Sequence, residues 1–457
     1  MIMALKSYPF LLHLAAYDGD EDLVAVLLRR KDTKVNQTVS GISLIYDDET
    51  PLHIAAKKGH DKVVDHLLAH KDIKVNKENK KGATPLWFAV FEGHAKVVEG
   101  LLKRDDIRVN QRPDKSATPL FIAAQEGYEK IAEMLLRKER IPVNQANNNG
   151  VPPLLIAALN GHEKVVEILL MRDDIKVKRD AIEVNQTDNN GVTPLLIAAR
   201  NGHEKVVEIL LKREDIQVNQ ACNNGVNGNT PLLAAALHGH EKIVEMLLLR
   251  DDIQVNKANK NGITPLLAAA GTGHEKVVKI LLLQDDIQVN QADNYDTTPL
   301  LIAAQNGHDN VVEMLLRMNN IDINHAWKTG ATPLFQASQN GHAKVVKLLL
   351  DKEGIWVNQA TKKGETPLSI AVFKKQGKVV NLLKERVVSL SREQAKKHLE
   401  EIQTCIVCMD CRPEVVLLPC GHQNLCGACA HQWREEKKGC PMDRMKILEI
   451  ISLVTEE

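Results

Sequence analysis

Thr50-Pro51-Leu52-His53-Ile54-Ala55-Ala56 returns down the chain as Thr84-Pro85-Leu86-Trp87-Phe88-Ala89, as Thr118-Pro119-Leu120-Phe121-Ile122-Ala123-Ala124, and onward. The prolines of this motif stand at 51, 85, 119, 153, 194, 231, 265, 299, 333 and 367. The step is 34 residues except for one of 41 and one of 37, so the unit is fixed and the longer steps are loop insertions. A degenerate first copy, Leu11 to Ala16, brings the number of units to eleven. Within each unit a second stretch follows, such as Gly202-His203-Glu204-Lys205-Val206-Val207-Glu208-Ile209-Leu210-Leu211, with apolar residues at helical spacing on one face. The Thr-Pro start puts a hydroxyl at the N-cap and proline at the first helical position, where its missing N–H costs nothing. The glycine before each histidine suits a tight turn between two short helices. Each unit closes in Val-Asn or Ile-Asn and then polar residues, an extended segment and hairpin leading to the next Thr-Pro. The pattern predicts an all-α solenoid of helix pairs joined by hairpin loops.

Composition agrees. At 457 residues the chain exceeds a single core. Hydrophobic residues make up 44% but aromatics only 3%, which suits thin helical layers. Lys plus Arg and Asp plus Glu number 59 each, so no single-signed field points to nucleic acid or an anionic membrane. The apolar Pro9 to Ala16 is short, contains His13 and runs into Asp18, Asp20, Glu21 and Asp22, unlike a signal peptide. With no apolar run long enough for a membrane span, the expected location is cytoplasmic. Seven of the eight cysteines lie between Cys405 and Cys440, a cluster that in an intracellular chain suggests metal.

The Thr-Pro-Leu-His-x-Ala signature and its helix pair resemble the ankyrin repeat over most of the chain. The departure is Asp-Asp-Ile, as at Asp251-Asp252-Ile253, where Gly-Ala usually follows the second helix; it leaves the end of that helix open. His60, His94, His162, His203, His240, His274, His308 and His342 share one repeat position, with Tyr128 in the same slot. They read as structural residues that stabilise the turn by a hydrogen bond. Specificity must come from positions that differ between repeats. The resemblance places the residues after the Ala-Ala pair on a concave binding face. Hairpin tips vary too, and across these positions Phe91, Tyr295 and Trp327 are candidate substrate contacts, or else fill gaps between repeats. The inserts Ser40 to Glu49, Arg179 to Val184 and Gly225 to Asn229 are lips of that face or neutral loops. The last repeat loses its Gly-His turn at Phe373-Lys374-Lys375-Gln376-Gly377-Lys378 and reads as a cap. The expected domains are an ankyrin-repeat solenoid over 1–384, a helical linker over 385–403 and a zinc-stabilised α+β module over 404–457.

In that module Cys405, Cys408, Cys420, His422, Cys426, Cys429, Cys440 and Asp443 have the spacing Cys-x2-Cys-x11-Cys-x1-His-x3-Cys-x2-Cys-x10-Cys-x2-Asp. Pairs two residues apart reach one tetrahedral zinc, and four pairs saturate two ions. The spacing resembles the RING finger. The resemblance implies interleaved pairs, with Cys405, Cys408, Cys426 and Cys429 on one structural zinc and Cys420, His422, Cys440 and Asp443 on the other. Asp443 stands where cysteine is commonest, and a carboxylate oxygen is an acceptable ligand. The resemblance further implies that Ile406, Trp433 and Pro441 bind a ubiquitin-conjugating enzyme (E2), and that Arg444 contacts both that enzyme and ubiquitin as the linchpin of transfer.

These expectations combine into a RING-type E3 ubiquitin ligase: the repeats bind a protein substrate, and the RING positions charged E2 with no covalent intermediate of its own. The Pro419-Cys420-Gly421-His422 run and the apolar tail Met445 to Val454 are similar to RINGs of the inhibitor-of-apoptosis type, which implies a RING homodimer. The alternative is a non-catalytic ankyrin scaffold whose RING only docks partners. A nucleic-acid-binding zinc protein is disfavoured by the balanced charge, and no nucleophile elbow, phosphate loop or His-Glu-x-x-His motif supports a hydrolase.

Overall fold

Each Thr-Pro pair starts a helix for a reason visible in its hydrogen bonds. In the computed structural model, which describes residues 10–38, 48–113, 117–138, 141–171, 181–222, 228–401, 415–418 and 449–452, the Thr230 hydroxyl accepts the Leu233 N–H at 3.2 Å. Thr264 caps Leu267 at the same distance. Such a cap stabilises a short helix by about 1 kcal/mol. The helix Pro231–His238 runs until Gly239 takes the left-handed conformation at φ 75, and the chain reverses into Glu241–Leu248. Among the described residues eleven such pairs occur. Two starts differ: Phe10 before Leu11–Asp18 and Pro152 before Pro153–Asn160 occupy the cap and contribute no side-chain bond.

The contacts divide the chain into two compact units, Met1–Pro299 and Leu300–Glu457. In the first, successive first helices pack side by side through alanines such as Ala235, Ala236, Ala269 and Ala270, all fully buried. Second helices add buried rows such as Ile243, Val244 and Leu247. The second unit repeats the scheme with Ala337, Val345, Val346, Leu349 and Ala371. Small residues bring the helix backbones close, which is why so little aromatic content suffices.

The repeated histidines join one repeat to the one before. His60 Nε2 donates to the carbonyl of Tyr17 at 3.0 Å, His94 to Lys57 at 3.0 Å, His203 to Leu159 at 2.9 Å, and His274 to Leu237 at 3.1 Å. Within the second unit His342 does the same to Gln305 at 2.9 Å. The expected structural role holds, but the bond spans repeats and does not close the local turn. Each ring also rests on the preceding left-handed glycine. A Cβ on Gly239 would lie 2.6 Å from His274 Nδ1, and one on Gly59 would lie 2.6 Å from His94 Nδ1.

A second bridge explains the Asp-Asp-Ile departure. Among the described residues second helices end without a left-handed glycine; Leu249, after Glu241–Leu248, stays right-handed at φ -74. The loop that follows is held by the asparagine of the previous Val-Asn. Asn219 Nδ2 donates to the Asp252 carbonyl at 2.6 Å, while its Oδ1 accepts the Gln254 N–H at 2.9 Å. Asn76 and Asn185 make the same pair of bonds. Arg250 Nε reaches Asp252 Oδ1 at 3.2 Å across the turn.

The last second helix does not stop at the repeat boundary. It runs unbroken over Gly377–Glu401, so the expected helical linker continues the final repeat's own helix. Further on, Val415–Leu418 pairs antiparallel with Glu449–Ser452, Val415 opposite Ser452 and Leu418 opposite Glu449. The tail segment 449–452 is thus a strand within its own chain. Insert residues 40–47, 179–180 and 225–227 lie outside the described residues, while Ile182 and Val184 of the second insert are buried. Where the first one returns, Glu49 is buried and lies 3.5 Å from Lys57 Nζ. Among the described residues no helix is long and apolar enough to cross a membrane.

Two further histidines are interior. His53 is fully buried; its Nδ1 accepts the Thr50 N–H at 3.1 Å and its Nε2 donates to the Ala83 carbonyl at 3.1 Å. Burial lowers its pKa to about 4, and that of His13 likewise. Both are neutral when folded at pH 7, as they are when unfolded. Below pH 6.5 the unfolded chain takes up these protons first, so stability falls as the pH drops toward 4. Urea midpoints at pH 7 and pH 5 check this: the stability gap between wild type and His53→Gln shrinks on acidification.

Gly239→Ala combines left-handed strain, about 1–2 kcal/mol, with collision against His274. Gly364→Ala carries only the strain, since nothing lies within 4 Å of its Cβ position. Urea unfolding is expected to show the first variant destabilised by about 2–4 kcal/mol and clearly more than the second.

Candidate functional site

The first helices of repeats one and three carry an aromatic near their ends, Tyr17 and Phe91, and that of repeat two carries Lys57 and Lys58. Phe91 closes Pro85–Phe91 and is 51% exposed, its ring stacked on Trp87 at 5.0 Å with an interplanar angle of 14°. Trp87 is fixed by its indole N–H, which donates to the Ala117 carbonyl at 3.1 Å, and by an edge contact with Phe88 at 5.4 Å. Lys57 Nζ lies 5.1 Å from the Phe88 ring, and Lys58 Nζ 4.3 Å from the ring of the exposed Tyr17. Phe91 is therefore an accessible, pre-oriented aromatic, the kind of side chain that anchors a protein contact. Tyr17 belongs to the same position two repeats earlier, with Lys57 at that position in between; counting residues after the Ala-Ala pair in the degenerate first repeat would have found it.

Tyr295 also lies where a partner can reach it. It is 72% exposed on a hairpin tip, where its N–H and that of Thr297 both donate to Asp293 Oδ1, at 2.9 and 2.8 Å. Trp327 behaves differently. It occupies the hairpin position that Asn259 and Asp293 hold elsewhere, and its ring packs against buried Ala331, Phe335 and Ile370. It fills a gap between the last two repeats. Trp356, 57% exposed, was not singled out by sequence reasoning. Its place is polar in most repeats, such as Gln254 and Gln288, and that contrast was the available signal.

The second element is the metal-binding module. Cys405, Cys408, Cys420, His422, Cys426, Cys429, Cys440 and Asp443 lie outside the described residues, as do Ile406, Trp433, Pro441 and Arg444. The strand pairing brackets part of this set. It brings Leu418, two residues before Cys420, opposite Glu449, six residues after Asp443. Thiols, an imidazole and a carboxylate are the donors zinc takes, so the chemistry of the set fits that ion. Among the described residues no group of three or more His, Cys, Asp or Glu side chains could hold a metal. The repeated histidines are bound to carbonyls instead.

Comparison with known families agrees with both elements. The family model "Ankyrin repeats (3 copies)" matches residues 12–113, 104–181, 177–259, 252–327 and 319–393, and "Zinc finger, C3HC4 type (RING finger)" matches residues 401–450. Similar curated proteins include "Putative E3 ubiquitin-protein ligase XBAT34" of Arabidopsis thaliana, 35% identical over 14% of this chain and 18% of that protein. "E3 ubiquitin-protein ligase XIAP" of Xenopus tropicalis is 43% identical over 10% of each chain. "Baculoviral IAP repeat-containing protein 3" of Homo sapiens is 40% identical over 14% of this chain and 10% of that protein. In each case the match spans less than a fifth of the relative's length.

The two aromatic environments separate on mutation. Trp327→Ala is expected to cost about 2 kcal/mol through the cavity it opens, and Phe91→Ala under about 1 kcal/mol. Paired urea denaturation curves measure both.

Proposed function

Because the chain belongs to the ankyrin-repeat family and carries a RING-type zinc finger, we propose that it is an E3 ubiquitin ligase whose repeats hold a protein substrate while the RING engages ubiquitin-charged E2. The observation that carries this reading is the joint filling of four functional slots within one RING ligand set: Ile406, Trp433 and Pro441 for the conjugating enzyme, and Arg444 directly after the eighth ligand. The ligase names of several relatives support it. The repeats support it from the other side, with Phe91 and Tyr295 exposed for a partner.

Catalysis in this reading is positional. The amine of a substrate lysine attacks the thioester carbonyl, the C–S bond breaks, an isopeptide bond forms, and the conjugating enzyme's thiol is released. Ile406, Trp433 and Pro441 hold that enzyme. Arg444 fixes ubiquitin against it so that the thioester stays in a reactive conformation, which is rate gained by proximity and preorganisation. Zinc, when bound, supplies structure and no chemistry: it stands in for the core that so small a module cannot build. The set Cys405, Cys408, Cys426 and Cys429 would hold one ion, and Cys420, His422, Cys440 and Asp443 the other. Pairing of two RINGs belongs to the same reading, with the segment Met445 to Val454 as the contact; a monomeric mass in solution removes it. The cytoplasm is the proposed site of action.

Two measurements test this. Zinc content is expected at two ions per chain, with the site holding Asp443 emptied first by a graded chelator. Ubiquitin chain formation across a panel of conjugating enzymes is expected with wild type and lost with Cys405→Ala and after full chelation. Two bound zincs with no chain formation across the panel would instead favour a docking scaffold.

A further inference from the structure

In ten repeats the residue that closes the first helix is a left-handed glycine, from Gly19 to Gly341; in the eleventh it is Lys375, at φ 58. Earlier glycines are forced by what lies against them, as His274 lies against Gly239 and Gln376 against Gly341. No repeat follows Lys375, so that constraint is lifted, yet the backbone still disfavours any side chain there. A residue kept against its backbone preference is a pointer to function.

The surroundings say which function. Lys378 occupies a ladder position whose lysine elsewhere pairs with an acid of the preceding repeat: Lys62 with Glu21, Lys96 with Asp61, Lys242 with Glu204, Lys276 with Glu241 and Lys344 with Asp309. For Lys378 the corresponding residue is Ala343. Among the described residues neither Lys378, Lys375 nor Lys374 has a carboxylate within ion-pair distance. Beside them Phe373 is 76% exposed and Val372 54%, with Lys374 Nζ 5.8 Å from the Phe373 ring. A chain of zero net charge thus ends its repeats on a cationic turn around two exposed apolar side chains.

We propose that this turn docks an acidic protein segment, whose aliphatic or aromatic side chain covers Phe373 and Val372 while its carboxylates meet Lys374, Lys375 and Lys378. The complementarity favours protein over nucleic acid: three lysines around an apolar pair do not make the basic stripe that follows a phosphate backbone. Unpaired cations at the rim speed encounter with an acidic partner and make its binding salt-dependent. The docking concerns binding alone and stands whether or not the RING transfers ubiquitin.

The test uses the full chain and a fluorescein-labelled peptide of glutamates interrupted by leucines, followed by fluorescence anisotropy at low and high salt. Single-stranded DNA and phosphatidylserine vesicles serve as rival probes. The peptide is expected to bind, to weaken with salt, and to lose roughly tenfold in affinity with Phe373→Ala or with Lys374→Glu. Lys375→Gly separates function from folding. It relieves the left-handed strain, so the melting temperature is expected to rise while peptide affinity falls. Unchanged peptide affinity in Lys375→Gly and Phe373→Ala, or binding of DNA or vesicles but not of the peptide, would overturn the proposal.

Discussion

The imidazole of one repeat lying on the left-handed glycine of the repeat before it is the contact on which the rest of the repeat architecture depends. It fixes how close successive turns come, because a Cβ at Gly239 or Gly59 would occupy the ring's place. Where the ring is a histidine, as His60 and His274 are, its Nε2 also satisfies a carbonyl near the end of the first helix before it that no helical N–H can reach. With the turns set at that distance, the alanine pairs of neighbouring first helices meet. The asparagine bridges then tie the opposite ends of the helices, as Asn219 does to Asp252 and Gln254. Charge contributes less, since the ladder of lysine–carboxylate pairs is largely exposed and each pair is worth little in water.

This dependence explains how much was legible in the sequence. The helix pairs were, because threonine caps, proline starts and glycine stops act locally and recur at a fixed period. The inter-repeat bonds were not, because they join residues a full repeat apart through groups, the Gln305 or Leu159 carbonyl for instance, that carry no side-chain signature. Asp-Asp-Ile looked like an unexplained departure for the same reason: its partner is the asparagine of another repeat. Trp327 shows a different limit. An aromatic at a variable position reads alike whether it faces a partner or fills a gap, and only its contacts with Ala331, Phe335 and Ile370 decide.

The candidate site divides along similar lines. In the RING-type module, the expected ligand set rests on spacing, because two donors on a tight knuckle must be close in sequence to share an ion. The pairing of 415–418 with 449–452 could not be read that way: apolar runs on either side of a metal cluster suit a strand, a tail or a dimer contact equally well. On the repeats, variation against a strict background was the usable signal. It singled out Phe91, Tyr295 and the run that holds Lys375, and applied more evenly it would have reached Trp356 as well.

The division of labour proposed for this chain, recognition by the repeats and transfer by the RING, is tested most directly by single-turnover discharge of a ubiquitin-charged conjugating enzyme onto free lysine. Wild type is predicted to accelerate discharge, and Arg444→Ala to lose that acceleration while retaining its zinc and its affinity for the conjugating enzyme. Equal discharge with and without the full-length, zinc-loaded chain, for every conjugating enzyme that binds it, would contradict the account.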